Sequence, residues 1–158
     1  MKQALIRSLV GAAALTMAAE APAQVSPDGG IVTKRSAHSV QATLDKLENI
    51  VAQKGFTVFA RIDHAAGAAK VGQGLRPTQT LIFGNPKVGT KLMDAKQSAS
   101  LDLPIRVASW EDAEGAVWLA YNDPAWLTSR HGIGGAQAVV ETMTGALGKL
   151  TDAATTAK

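Results

Sequence analysis

Apolar residues recur along this chain in two rhythms, and the changes between them mark the elements. Ile31 to Arg35 reads as a short strand. From Ser39 onward, Val40, Leu44, Leu47 and Val51 return at the three-to-four-residue spacing of a helix until Gly55. Ser39 suits the cap of that helix, because its hydroxyl reaches a nearby free amide, and Gly55 suits its end. Phe56 to Asp63 then alternates, which places Phe56, Val58, Ala60 and Ile62 on one face of a half-buried strand. His64 to Gly74, rich in alanine and glycine, reads as a loose short helix.

Thr78 to Phe83 forms another strand. It breaks at Gly84-Asn85-Pro86, because proline disfavours a helical conformation in the residue before it. Val88 to Ala99 is the next helix, presenting Leu92 and Met93 to the core. Ile105 to Asp112 and Ala116 to Asn122 carry the strongest hairpin signal, since the loop Ala113-Glu114-Gly115 suits a type I turn closed by a glycine bulge. That turn sets the register. Glu111 faces Val117, Ser109 faces Leu119 and Val107 faces Tyr121 on the core side, while Trp110 faces Trp118 and Arg106 faces Asn122 on the other. Asp123 caps a short helix with Pro124 in its first turn. Gly134-Gly135 then precedes a last helix whose buried stripe is Val139, Val140, Met143, Leu147 and Leu150. Residues 151–158 read as a polar, frayed tail. Helices around a local hairpin, without regular strand-helix alternation, predict an α+β fold: helices packed on a mainly antiparallel sheet in a single compact domain over residues 31–150.

The ends change the picture. Lys2 and Arg7, the apolar run Ser8 to Ala19 and the small-residue site Ala21-Pro22-Ala23 predict a signal peptide over residues 1–23, followed by a flexible lead-in over 24–30. The apolar run is shorter than the roughly 20 residues a bilayer span requires. The sequence has no cysteine and hence no lipid-attachment site, so a soluble periplasmic or secreted product is expected, with no membrane association after leader removal. Lys34-Arg35 is the longest basic cluster and no aromatics are interleaved with it, which argues against nucleic acid despite a net charge of +3. His38, His64 and His131 are far apart in sequence, and the Gly72-x-Gly74 and Gly132-x-Gly134 pairs lack the third glycine of a dinucleotide fingerprint. Neither a metal nor any other cofactor is expected.

The string Phe83-Gly84-Asn85-Pro86-Lys87-Val88-Gly89-Thr90-Lys91-Leu92-Met93, together with Leu101-Asp102-Leu103-Pro104-Ile105-Arg106-Val107 and Val117-Trp118-Leu119-Ala120-Tyr121-Asn122-Asp123-Pro124, resembles the bacterial family catalogued as domain of unknown function 302. Asp63 to Ala68 and Leu75 to Thr78 extend the resemblance, which covers the chain from Ile31 to Leu150. It implies a compact, dimeric α+β domain and no particular activity.

Gly84 to Lys91 is the most suggestive stretch chemically. Glycines let amides converge, a following helix adds its positive end, and Asn85, Lys87, Gly89 and Thr90 would form an anion cradle. The competing reading is a tight turn in which Asn85 bonds local backbone. A phosphate loop is excluded, because Thr90 precedes Lys91 instead of following it. His64, beside Asp63, is a candidate acid, base or anion contact, and Arg76 is a candidate partner in the same cleft, with Arg106 and Tyr121 competing for it from opposite sheet faces. These residues predict an exported module binding a small anionic or polar ligand or a partner protein. The alternatives are a small periplasmic enzyme using His64 with Lys87 and Arg76, and a non-catalytic structural or stress protein. Trp110 and Trp118 call for cover, and a homodimer contact would supply it.

Overall fold

The computed structural model describes residues 24–25 and 29–157, so the leader expected over residues 1–23 lies outside the described part. Its strands are β1 (Gln24–Val25), β2 (Ile31–Ser36), β3 (Thr57–Asp63), β4 (Thr78–Gly84), β5 (Ile105–Glu111) and β6 (Val117–Asn122). Its helices are α1 (Val40–Gln53), α2 (His64–Lys70), α3 (Pro86–Ala95), α4 (Pro124–Arg130) and α5 (Gln137–Thr155). The strands form one six-stranded sheet in the order β1-β2-β6-β5-β4-β3, with every neighbouring pair antiparallel. The chain is therefore α+β, with helices packed on an antiparallel sheet.

Alternation along the strands separates two faces. Val32, Leu81, Phe83, Ile105, Val107, Leu119 and Tyr121 are buried, and they share one core with Leu44, Leu47 and Val51 of α1 and Leu147 and Leu150 of α5. The opposite face carries the register rows Arg35–Trp118–Trp110–Thr78 and Thr33–Ala120–Ala108–Thr80. The hairpin register is the one the turn predicts, with Trp110 opposite Trp118 and Val107 opposite Tyr121. Gly115 closes the turn at φ +79°, where glycine alone is unstrained. Capping residues also act as their side chains suggest: Ser39 accepts from the Ala42 amide, and Asp123 accepts from the Ala125 amide.

Four expectations are corrected. The alternation expected through Phe56–Asp63 inverts at a bulge between Val58 and Ala60. Val58 stays on the core side opposite Phe83, whereas Ala60 and Ile62 pair with Ile82 and Thr80 on the open face. The helix expected over Val88–Ala99 starts at Pro86 and stops at Ala95, because Lys96 adopts an extended conformation and a separate 3-10 turn covers Gln97–Leu101. The short helix after β3 is shorter than expected, ending at Lys70.

The fourth correction concerns the tail, which is not frayed. α5 continues to Thr155, and Thr151, Ala154 and Thr155 are buried. Threonine can be buried there because its hydroxyl bonds back into the helix: Thr151 Oγ1 donates to the Leu147 carbonyl at 2.7 Å and Thr155 Oγ1 to the Thr151 carbonyl at 2.9 Å. Docking to β2 completes the arrangement. Lys34 is only 6% exposed, and its Nζ donates to the Gly148 carbonyl and to the Asp152 carboxylate. The Ala37 amide donates to the Thr155 carbonyl at 2.8 Å.

Candidate functional site

The bend after β4 is built around Asn85. Its side-chain Oδ1 accepts from the Lys87 amide at 3.0 Å, and its carbonyl accepts from the amides of Val88 and Gly89, both at 2.9 Å. Pro86 has no N–H to offer. The donors expected to converge on an anion are thus held by the bend's own oxygens, and the local-turn reading describes this segment. Gly84 makes a close approach: a Cβ there would lie 3.3 Å from Pro104 Cβ, a tight contact.

Behind the bend lies a cavity of about 320 Å³ between the ends of β3, β4 and β5 and the helices α3 and α5. Its floor is buried core: Phe83, Ile105, Leu147 and Leu150. Its rim includes Thr90 and Phe59, the latter 54% exposed and carried by the bulge of β3. All three phenylalanines of the chain line it, and Phe56 and Phe83 meet edge to face at 5.7 Å between centroids. Polar groups in the wall are few and mostly bonded already. Asn85 caps α3, and Thr142 Oγ1 donates to the Ala138 carbonyl.

The residues singled out by sequence divide accordingly. Asn85, Gly89 and Thr90 line the cavity; Lys87, His64 and Arg76 do not. Lys87 is an exposed residue in the first turn of α3. His64 opens α2, and its Nε2 lies 3.1 Å from Thr80 Oγ1, a residue of the open face. Asp63 does not serve His64, because its Oδ1 caps α2 through the Ala66 amide and its Oδ2 accepts from Gln79. Arg76 donates to the Glu111 carbonyl at the far end of β4, about 20 Å from the bend at 3.3 Å per residue. The common cleft of Asn85, His64 and Arg76 does not form. Arg106 is exposed and Tyr121 buried, on opposite faces, as the register requires.

Met93 and Met143, which the helical spacing places toward the core, line the wall, whereas Phe59, Leu103, Pro104 and Ala146 escape the sequence reading. The signal that marks them is the run of small residues that line the cavity from the helices, Gly89 and Thr90 on α3 and Thr142 and Ala146 on α5. Small side chains there leave a gap that larger ones would fill.

Beside this wall is a buried polar latch. Asp102 Oδ2 lies 2.7 Å from His131 Nε2, both side chains being nearly inaccessible, and both carboxylate oxygens accept from Arg130 Nη1 at 3.1 Å. His131 Nδ1 lies 3.0 Å from Ser98 Oγ. The latch ties the end of α4 to the residue preceding Leu103 and Pro104, and so fixes that side of the cavity. Elsewhere, the Trp118 indole N–H donates to Asp112 at 2.7 Å and, with the amides of Ala116 and Glu114, holds its carboxyl below the usual carboxylate range. Burial pushes the Tyr121 phenol up.

Taken together, fold and site define a class: a small α+β domain with helices packed on an antiparallel sheet and an apolar pouch at one end of that sheet. The chain belongs to the family described as domain of unknown function DUF302, which matches residues 32–150. A crystal structure of an uncharacterized conserved DUF302 protein from Bacillus stearothermophilus has the same fold, with a TM-score of 0.71 at 16% identity, covering 79% of this chain and 98% of that one. Among curated proteins, a fluoride-specific ion channel FluC 1 of Brucella suis biovar 1 is 51% identical over 107 residues, which are 68% of this chain and 42% of that protein. A protein of the same name from Brucella abortus biovar 1 is likewise 51% identical over 107 residues, 68% of this chain and 40% of its own length. The chain thus spans about two-fifths of the length of the curated relatives it matches.

Proposed function

We propose that this chain is an exported binding module that holds a small ligand with an apolar body in the cavity between α3, α5 and the sheet end. One observation carries the reading: a closely packed core is interrupted by a hollow whose size is that of ligand pockets and whose wall is almost wholly apolar. The anionic or polar ligand that the glycine-bounded bend suggests gives way here to an apolar one. The amides that would have held an anion are bonded to Asn85, and Lys87 does not line the cavity.

The same reading includes a homodimer through the open sheet face. Trp110 and Trp118 stand side by side there with small neighbours, Ala108 and Ala120, and a second copy would cover them. It also keeps export by the leader expected over residues 1–23. The Brucella relatives bear the name of a fluoride-specific channel, but among the described residues of this chain no helix is long and apolar enough to cross a membrane. We assign the matched portion to ligand binding and propose no conduction for it. An enzyme built on His64, Lys87 and Arg76 is disfavoured by the separation of those residues.

Thermal denaturation with toluene or decanol tests the binding reading. Saturation at about a hundred times Kd adds about 2.7 kcal/mol of stability and raises Tm by several degrees. Loss of the rise in Ala146→Phe, which fills the pouch, is the expected result, and the absence of any rise in the unaltered chain defeats the reading. Tryptophan emission should shift when the dimer dissociates on dilution; dissociation with no shift removes the sheet-face interface. The mass of the exported product reports leader removal, which an intact Met1 terminus contradicts.

A further inference from the structure

We propose that the occupant of this cavity is the hydrocarbon tail of a single-chain amphiphile, inserted tail first with its polar head left at the mouth; this rests on the binding reading above and narrows it to one ligand class. Three features of the pouch lead there. It is graded in exposure from floor to rim: Phe83 and Ile105 at the floor are buried, whereas Thr90 and Phe59 at the rim are exposed. A ligand that matches this gradient has one apolar end and one wet end.

The wall is also unsuited to grasping a head group. Asn85 Oδ1 is bonded to the Lys87 amide and Thr142 Oγ1 to the Ala138 carbonyl, so the polar side-chain atoms of the lining left without a hydrogen-bond partner among the described residues, Asn85 Nδ2 and Thr90 Oγ1, both belong to the start of α3. Burying a carboxylate or a hydroxyl against the rest of the wall would leave it without a partner, whereas a methylene needs none. The head group therefore stays in water beside the first turns of α3.

Shape separates a chain from a planar ring system. Phe56 and Phe83 cross at 84°, so the two rings form a corner and not a parallel slot that could sandwich an aromatic plane. Met93 on α3 and Met143 on α5 add flexible side chains that can follow a bent alkyl chain. At about 320 Å³ the pouch lies at the small end of the range for ligand sites, which suits one chain of medium length and not a two-chain lipid.

The test is a homologous series. Titrating the full chain with straight-chain carboxylates from hexanoate to hexadecanoate below their micelle concentrations, and with the matching alcohols, should give affinities that rise about fourfold per methylene, equivalent to about 0.8 kcal/mol, and then level off when the pouch is full. Carboxylate and alcohol of equal length should agree within about threefold, because the head is left to solvent. Ala146→Phe should abolish the length dependence. If that variant does not fold, judged by far-UV circular dichroism, Gly89→Leu blocks the pouch from the opposite wall. Leu101→Ala, away from the cavity, should leave every affinity unchanged. Binding of toluene without a rise along the alkyl series overturns the amphiphile assignment while the binding reading survives. Failure of toluene and of every chain length to bind overturns both.

Discussion

Two helices sit on the same face of the same sheet and seat themselves differently. α1 sends Leu44, Leu47 and Val51 into the core at 0% exposure, and nothing is left between it and the strands. α3 buries Leu92 as its main anchor and presents Gly89 and Thr90 beside it, so the space it shares with α5 remains unfilled. The difference lies in side-chain volume at the helix positions beside the sheet: leucine and valine complete a core, whereas glycine and alanine line a pouch. Where a helix begins matters too, since Asn85 and Pro86 start α3 directly at the strand end, beyond the middle of the sheet.

The contrast is broken most severely at the packed seat. Leu47→Ala should cost about 2–5 kcal/mol in chemical denaturation, the usual penalty for a cavity made in a closed core. Met143→Ala, which only enlarges a space already open, should cost about 1 kcal/mol, and equal losses in the two variants would erase the distinction between the seats. Asp152→Ala should remove about 2 kcal/mol by leaving the Lys34 ammonium on the Gly148 carbonyl alone, with Lys34→Met restoring most of the loss in the double variant. Gly89→Ala sharpens the comparison in the opposite direction. An added Cβ would make ordinary contact with Met93 Cε at 3.9 Å, and exchanging glycine for alanine within a helix should raise stability by up to about 1 kcal/mol.

The smallest effect is expected at the hairpin, away from both seats. Because the Asp112 carboxyl is held below its ordinary range, its contribution is fully present above about pH 3.9 and is lost as the pH falls through its lowered folded value. Trp118 emission should change in that acid window and be flat in Asp112→Asn. A change of equal size in the variant would mean that the indole bond is not the cause.

Much of the fold is legible from local rules, because local forces determine it. Ser39, Asp123 and Gly115 act within three or four residues of their own position, and the hairpin register follows from its turn. What the sequence hides depends on contacts between distant residues. Arg61 is held by Asp45 and Glu48 of α1, Lys34 by Asp152, and Asp102 by His131, and no periodicity announces such pairs. The bulge that turns Phe59 to the cavity rim is similarly invisible, since alternation looks unbroken until β4 sets the register. The candidate site was legible only in part. The bend after Phe83 is marked by its glycine, asparagine and proline, but its chemistry reverses from polar to apolar once Asn85 is seen to occupy the amides.

The seating of α5 bears on when this domain can close during synthesis. A chain made from its N-terminus onward presents β2 early, with Lys34 lacking its carboxylate and the Ala37 amide lacking its acceptor until Asp152 and Thr155 emerge. The core face of the sheet likewise waits for Leu147 and Leu150. Completion is therefore a late event, so that a nascent chain stalled before Gly148 should remain open to protease while the released chain resists it.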